Sequence, residues 1–395
     1  MQPSTRIRTL TGTEDDGWGL FIRARAMIAA GEEVLELTIG EHDIRTDTRI
    51  LEAIFRSARD GHTGYAMVPG IPKLREAVAK RLSDRTGVPT TPDNILITPG
   101  GQAALFASHH AACDQGDRAL FIDPYYATYP GTIRAVGAEA VPVQARPEDG
   151  FQPRKGVLME AAQGAQSLLI NTPNNPTGVV YTPDTIAGIA EVAEAQDLWL
   201  ISDEVYDTQV WDGHHISPRA LPSMAERTLV VGSLSKSHAM TGSRLGWVAG
   251  PAEVIDRLIT LATHTTYGVP GYIQDAGLYA LSLGAEFEAE IGAPFRRRRD
   301  ILNALLAGQQ VIRAVPAQGA MYAMLDIRAT GLTGEGFANA LLDAEKIAVM
   351  PGESFGDAAA GHIRVALTLP DDAFAEAASR LIRFATARAA TPAVE

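Results

Sequence analysis

The sequence predicts an α/β fold, with a mostly parallel, doubly wound sheet in a large domain and a smaller α+β domain beside it. Three observations carry that prediction. From about residue 50 to 280, short apolar runs alternate with helix-like stretches, a pattern that implies a parallel sheet covered on both faces. Polar clusters follow directly after several of these runs, at the strand ends where open parallel sheets bind ligands. Beyond residue 307 the alternation changes, with strand-like 311–315, 321–327 and 362–369 interleaved with helix-like 334–346 and 372–384.

Strands of the large domain are read at 95–97, 119–122, 140–143, 167–170, 198–201, 229–231 and 246–249. Between them, 183–196 reads as a helix because Ile186, Ile189, Ala190 and Ala193 share one face. Thr182 is placed to cap it, with Pro183 at the first helical position. A long helical stretch over 285–306, interrupted at Pro294, leaves the large domain. The chain therefore divides into an N-terminal segment 1–48 that packs with the small domain, a large domain 49–283, and a small domain 284–395 that includes the interdomain helix. The first fifty residues show no place in a sheet. The Ala-rich tail after Phe384 is expected to fray.

Composition narrows the function classes. A formal charge of -13 argues against nucleic-acid partners. The one cationic cluster, Arg296 to Arg299, reads as a solvated or interface face of a helix rather than a polyanion site. Cys113 is the single cysteine, so no internal disulfide is possible, and its apolar neighbours place it in the core. The start lacks the pattern of a signal peptide, and no run of about 18 apolar residues could span a bilayer. The expectation is a soluble cytoplasmic protein without membrane contact. His109-His110 and His214-His215 lack a third ligand at useful spacing, so no metal site is expected.

The polar clusters carry the chemistry. Thr98-Pro99-Gly100-Gly101-Gln102 precedes a helix-like run, and paired glycines opening a helix leave backbone N–H groups free for phosphate. Asn171-Thr172-Pro173-Asn174-Asn175-Pro176-Thr177-Gly178 is a loop stiffened by two prolines, which aims the Asn175 amide. Asp203 and Tyr206 lie three apart at another strand end. Ser233-Leu234-Ser235-Lys236 leads on to Arg244, setting an amine, hydroxyls and a guanidinium around one small anion. An isolated Ser-x-Lys is ordinarily a turn with a solvated lysine. Here Asn175, Asp203 and Lys236 recur at about thirty residues, the length of one strand-helix-strand unit, so they share one edge of the sheet. The combination suits a phosphate-bearing aldehyde held as an imine, which is pyridoxal 5'-phosphate. Gly-x-Gly-x-x-Gly after a strand and the Walker loop are both missing, so a nucleotide fold has little support.

Asn-x-Pro-x-Asn-Pro-Thr-Gly, Asp-Glu-x-Tyr and Ser-x-Ser-Lys-x-x-x-x-x-Gly-x-Arg, in that order, resemble the fold-type I aminotransferases, the family that contains aspartate aminotransferase. The resemblance runs from Leu37-x-Ile39-Gly40-Glu41 to His362-Ile363-Arg364. It implies that Lys236 bonds the cofactor and later moves a proton, and that Asp203 pairs with the pyridine nitrogen. Asn175 and Tyr206 would bond the ring oxygen, and Tyr126 would stack on the ring where the family often has tryptophan. Gly101, Gln102, Ser233, Ser235 and Arg244 would hold the phosphate. Tyr65 would reach the phosphate of a neighbouring subunit, which requires a homodimer with shared active sites. Arg364 would clamp the substrate carboxylate, assisted by the Gly40 backbone and bordered by Tyr126 and Asn175. His42 stands where the family commonly has proline, and its role is open.

The reaction implied is ping-pong transfer of an amino group between an L-amino acid and a 2-oxo acid. A β-lyase, decarboxylase or synthase on the same fold is the alternative. An aminotransferase-like regulator is a further reading, which the acidic charge and the short stretch before Gly40 disfavour. In one branch of the family an arginine shortly before a tyrosine binds aspartate's distal carboxylate. Here His264-Thr265-Thr266-Tyr267 holds none, and His264 is at best a partial substitute. Several runs, including Arg296-Arg297-Arg298-Arg299-Asp300, resemble the arginine–pyruvate transaminase branch.

Overall fold

The structure, a computed structural model, describes residues 1–11 and 18–390. Twelve strands are found among these residues. In chain order they are β1 Leu35–Leu37, β2 Ile95–Thr98, β3 Arg118–Asp123, β4 Glu139–Gln144, β5 Ala165–Asn171 and β6 Trp199–Asp203. The remainder are β7 Thr228–Ser233, β8 Gly246–Ala249, β9 Arg313–Ala314, β10 Tyr322–Asp326, β11 Ile347–Pro351 and β12 His362–Ala366.

Seven strands form the large sheet in the order β2-β8-β7-β6-β5-β3-β4. Strands β4, β3, β5, β6 and β7 run parallel, and β8 is antiparallel to both neighbours. Strand β2 therefore points the same way as β7, and the carboxyl ends of β2, β5, β6 and β7 open on one edge. Successive strand residues serve opposite faces. Leu168, Ile170 and Leu200 pack in one core with Ile186, Ile189 and Val192 of helix Pro183–Ala195. Leu169 and Ile201 pack in another with Leu105 of helix Gly101–Ala112. That is the physical content of a doubly wound sheet, and it explains why these strands read as continuous apolar runs. The Thr182 hydroxyl accepts from the Thr185 N–H at 3.2 Å, with Pro183 at the first position, as the sequence indicated.

The second sheet has the order β1-β11-β12-β10-β9. It differs from expectation in several places. Strand β1, in the stretch assigned no sheet position, pairs in parallel with β11 from Leu35↔Ile347 to Leu37↔Val349. Strand β11 itself was not anticipated. It follows the helix Gly334–Glu345 after one left-handed residue, Lys346, so helix and strand read as one apolar stretch. Strand β9 covers only two residues of the expected five. The helix Gly284–Leu306 is continuous through Pro294, whose missing N–H removes one internal hydrogen bond without breaking the helix. The Ala-rich tail remains helical to Ala389, because Phe384 and Ala385 are buried against the small-domain core. Residues 391–395 of that tail lie outside the described residues.

The basic run divides between the two faces expected of it: Arg296 and Arg297 are exposed, and Arg298 and Arg299 are buried in contacts between segments. Arg298 donates to Asp43 at 3.0 and 2.7 Å and to Asp371 at 2.8 Å, and Arg299 pairs with Asp212 at 2.5 Å. One face of the helix thus ties the N-terminal loop and the large domain to the small domain. Cys113 is buried, 3.2 Å from the Ser167 hydroxyl. No helix among the described residues is long and apolar enough to cross a membrane.

Candidate active site

The carboxyl ends of β5, β6 and β7 converge on a cavity of about 350 Å³ between the two sheets. Every candidate residue except Tyr65 lines it: Gly40, Gly101, Gln102, Tyr126, Asn175, Asp203, Tyr206, Ser233, Ser235, Lys236, Arg244 and Arg364. Tyr65 lies outside on the surface, 92% exposed, edge-on to Tyr267 with ring centroids 5.2 Å apart.

Lys236 sits on the one-turn helix Leu234–Ser237, which follows β7 without a loop. Its amine donates to the Gly40 carbonyl. Burial, together with the cationic Arg364 and Arg244, lowers its pKa despite opposing charge from Tyr322 and Glu41. A lysine held this way titrates closer to neutrality than a solvated one.

Asp203 ends β6 and is buried. Its Oδ2 accepts from the Tyr129 hydroxyl at 2.7 Å and its Oδ1 from the Val205 N–H at 3.3 Å. Burial raises its pKa to about 6 against those two hydrogen bonds. Asn171, at the end of β5, locks the neighbouring backbone. Its Nδ2 donates to the Asp203 carbonyl at 2.9 Å and its Oδ1 accepts from the Asn175 N–H at 2.8 Å.

Asn175 Oδ1 in turn accepts from Arg364 Nη1 at 2.9 Å, which leaves its Nδ2 as the donor toward the cavity. Arg364 also donates to the Thr38 carbonyl, and its guanidinium lies between the Tyr322 and Phe355 rings, 4.4 and 4.3 Å from their centroids. Its Nε is buried without a partner among the described residues. Tyr206 and Tyr322 hydroxyls are 3.2 Å apart. Burial, then the neighbouring Tyr322, hold the Tyr206 phenol well above its usual pKa, so it stays a neutral donor.

The opposite end of the cavity is built for an anion. Helix Gly101–Ala112 opens with Gly100 at φ 81, a left-handed conformation, and no side chain caps it. Its first N–H groups therefore lack intrahelical partners. A Cβ on Gly100 would stand 2.4 Å from the Arg244 guanidinium. Ser233 and Ser235 hydroxyls are 2.8 Å apart beside this turn. The Gln102 side chain is committed to the next helix, accepting from Thr128 at 3.0 Å and donating to Thr132 at 2.6 Å, so only its backbone faces the anion position. A glycine turn that a methyl group would fill, two hydroxyls, a guanidinium, a buried carboxylate and a buried amine fit pyridoxal phosphate.

Tyr129, Asn171, Tyr322, Trp18, Glu41 and Thr241 also line the cavity and were not anticipated. Tyr129 falls three residues after Tyr126, and Asn171 is the last residue of its strand; both positions were available signals. Nothing in the sequence marked Tyr322, which arrives from the small domain.

The comparisons with known proteins agree with this geometry. The model for aminotransferase class I and II matches residues 32–381. The chain belongs to the class I and II aminotransferases. The arginine–pyruvate transaminase AruH of Pseudomonas aeruginosa is 39% identical over 96% of this chain and 97% of its own length. The aspartate/prephenate aminotransferase of Thermus thermophilus is 35% identical over 89% of this chain and 91% of its own. The structure of the Thermus thermophilus aspartate aminotransferase with maleate superposes with a TM-score of 0.90 at 33% identity, over 97% of this chain and 99% of that one. This aminotransferase is a fold-type I enzyme that transfers amino groups with pyridoxal phosphate. The lyase alternative is not favoured, since the similar proteins are named as transaminases.

Proposed function

We propose that the amino donor is L-arginine and the acceptor pyruvate, exchanged in a ping-pong cycle at the Lys236 cavity. The observation that carries the substrate assignment is the charge of the lining. Lys236, Arg244 and Arg364 are its cations, so after one serves the cofactor bond, one the phosphate and one the α-carboxylate, none remains for a second carboxylate. Glu41, on the exposed rim, has the sign that suits a guanidinium. The 39% identical relative named for arginine and pyruvate points the same way.

When bound, pyridoxal phosphate supplies an aldehyde that bonds amines and a ring that withdraws electrons from the substrate Cα. The residues around it divide the remaining work. Lys236 offers its amine first as the anchor and then as the base that takes a proton from Cα and returns it. Asp203 would pair with the ring nitrogen and keep it protonated, and Tyr206 and Asn175 Nδ2 would donate to the ring oxygen. Tyr126 would stack on the ring. The Gly101 and Gln102 backbone, Ser233, Ser235 and Arg244 hold the phosphate. Arg364, planar and fixed between two rings, receives the α-carboxylate in bidentate fashion.

We also propose a homodimer in which Tyr65 of each chain completes the phosphate site of the other. Its exposure, beside the exposed apolar side chains Met67 and Tyr267, supports this. The segments 1–48 and 284–395 are proposed to act together as the small domain against 49–283, supported by the pairing of β1 with β11.

The test uses the holoenzyme with single amino acids. L-Arginine alone should convert the cofactor to its aminated form, and pyruvate should restore it. The specificity constant kcat/KM for arginine should exceed that for aspartate by about 10–100-fold. Faster turnover of aspartate rejects the substrate assignment and leaves the aminotransferase chemistry standing.

A further inference from the structure

Lys236 is held at two points by the loop that follows β1. Gly40 accepts from its side-chain amine, and His42 Nε2 lies 3.0 Å from its backbone carbonyl. A carbonyl only accepts, so Nε2 carries the proton. The same carbonyl accepts from Gln209 Nε2 at 3.1 Å. These donors answer a specific need. The helix Leu234–Ser237 is a single turn whose final N–H, from His238, returns to the Leu234 carbonyl at 3.2 Å. The Lys236 carbonyl lies beyond the reach of an intrahelical donor.

The His42 ring is itself fixed. It packs edge-on against Phe295 of the helix Gly284–Leu306, with centroids 5.3 Å apart at 68°. The next residue, Asp43, is clamped by the two Arg298 contacts on that helix. Burial first, and the charge of Lys236 second, lower the His42 pKa to about 4, so the ring is a neutral donor at physiological pH.

We propose that His42 is a positioning residue for Lys236: by capping the lysine's carbonyl from the β1 loop, it fixes the one-turn helix and thereby aims the amine into the cavity. This rests on the assignment of Lys236 as the cofactor-bearing lysine.

The experiment uses the full-length holoenzyme. His42→Leu and His42→Phe remove the donor while keeping an apolar group against Phe295, and His42→Gln keeps a donor. The readouts are the half-reaction rate with the amino acid that the wild type uses fastest, its KM, and the visible circular dichroism of the bound cofactor. Removal of the donor should slow the half-reaction by about tenfold at nearly unchanged KM and weaken the dichroic band. His42→Gln should restore most of both. Wild-type rate and dichroism in the apolar variants overturn the proposal. So does a His42→Gln enzyme as slow as they are, which marks a packing role, or failure of both apolar variants to fold while His42→Gln folds, which shows that the bond serves the fold as a whole rather than the aim of the amine. Borohydride reduction of the wild type separates the underlying assignment: an unlabelled Lys236 removes that reading, whereas a labelled Lys236 with unaffected apolar variants overturns the role of His42 alone.

Discussion

The Tyr129 hydroxyl donates to Asp203 across 2.7 Å, in the buried lining of the cavity. Burial disfavours the charge on Asp203 and this bond favours it, so the carboxyl is poised near pH 6. Loss of the carboxylate's charge therefore has a predictable effect on the protein without cofactor. Its pKa is raised above the unfolded value, so the folded state binds the proton more tightly. The cost to folding begins as pH rises past about 4 and is complete above about 6. Asp203→Asn should stabilise the apo-protein at pH 8 by about 1–3 kcal/mol, with the gain gone near pH 4. Urea unfolding at the two pH values measures this, and the same variant should lose most transamination activity.

Tyr129→Phe removes the opposing effect. A hydrogen bond to a charged group contributes about 1.5–3 kcal/mol, so the apo-protein should lose roughly that much at pH 8. At pH 5, where Asp203 is largely protonated, the loss should shrink. An equal loss at both values would mean that the phenol serves only as packing.

The contrast between Asp203 and Tyr129 shows how far the sequence could be read. Asp203, Asn175 and Lys236 follow apolar runs, and their spacing alone sets them on one sheet edge, because parallel strands must recur once per crossover. Residues that arrive from elsewhere give no such signal. Tyr322 comes from β10 of the second sheet, and its hydroxyl sits so close to Gly40 that a Cβ there would stand 1.7 Å away. Only the assembly of the second sheet, which holds both β1 and β10, creates that contact. Strand β1 was missed for a related reason: three residues paired on one side carry too little periodicity to be seen. The burial of Arg298 follows from Asp43 and Asp371, acids that lie more than seventy residues away in the chain.

Arg364 and the rings of Tyr322 and Phe355 form a stack that an ammonium cannot reproduce. Arg364→Lys should lower kcat/KM for the amino donor by about 10–100-fold, with KM rising, while the cofactor affinity stays near wild type. Tight substrate binding in that variant, measured by spectral titration, would remove Arg364 as the carboxylate ligand.

A last prediction concerns stability away from the chemistry. Glu288, buried on the helix Gly284–Leu306, accepts from Arg81 and from Arg85 at 3.0 Å, both on the helix Pro72–Thr86. Asp207, four residues after Asp203, pairs with the same two arginines, at 3.5 Å from Arg81. The cluster thus bolts the interdomain helix to the loop that follows the catalytic strand β6. Removing Glu288 leaves Arg81, whose side chain is largely shielded, sharing a single carboxylate with the more solvated Arg85. Breaking a fully buried pair costs about 3–5 kcal/mol, and the exposure of Arg85 reduces that figure here. Glu288→Ala should therefore unfold at much lower urea concentration. Glu288→Gln, which keeps the shape and one acceptor, should recover part of the loss. Because none of the cluster's ion pairs involves a lining side chain, both variants should bind cofactor at low temperature with nearly wild-type affinity. A cofactor defect at full folding would instead show that the cluster controls the geometry of Asp203.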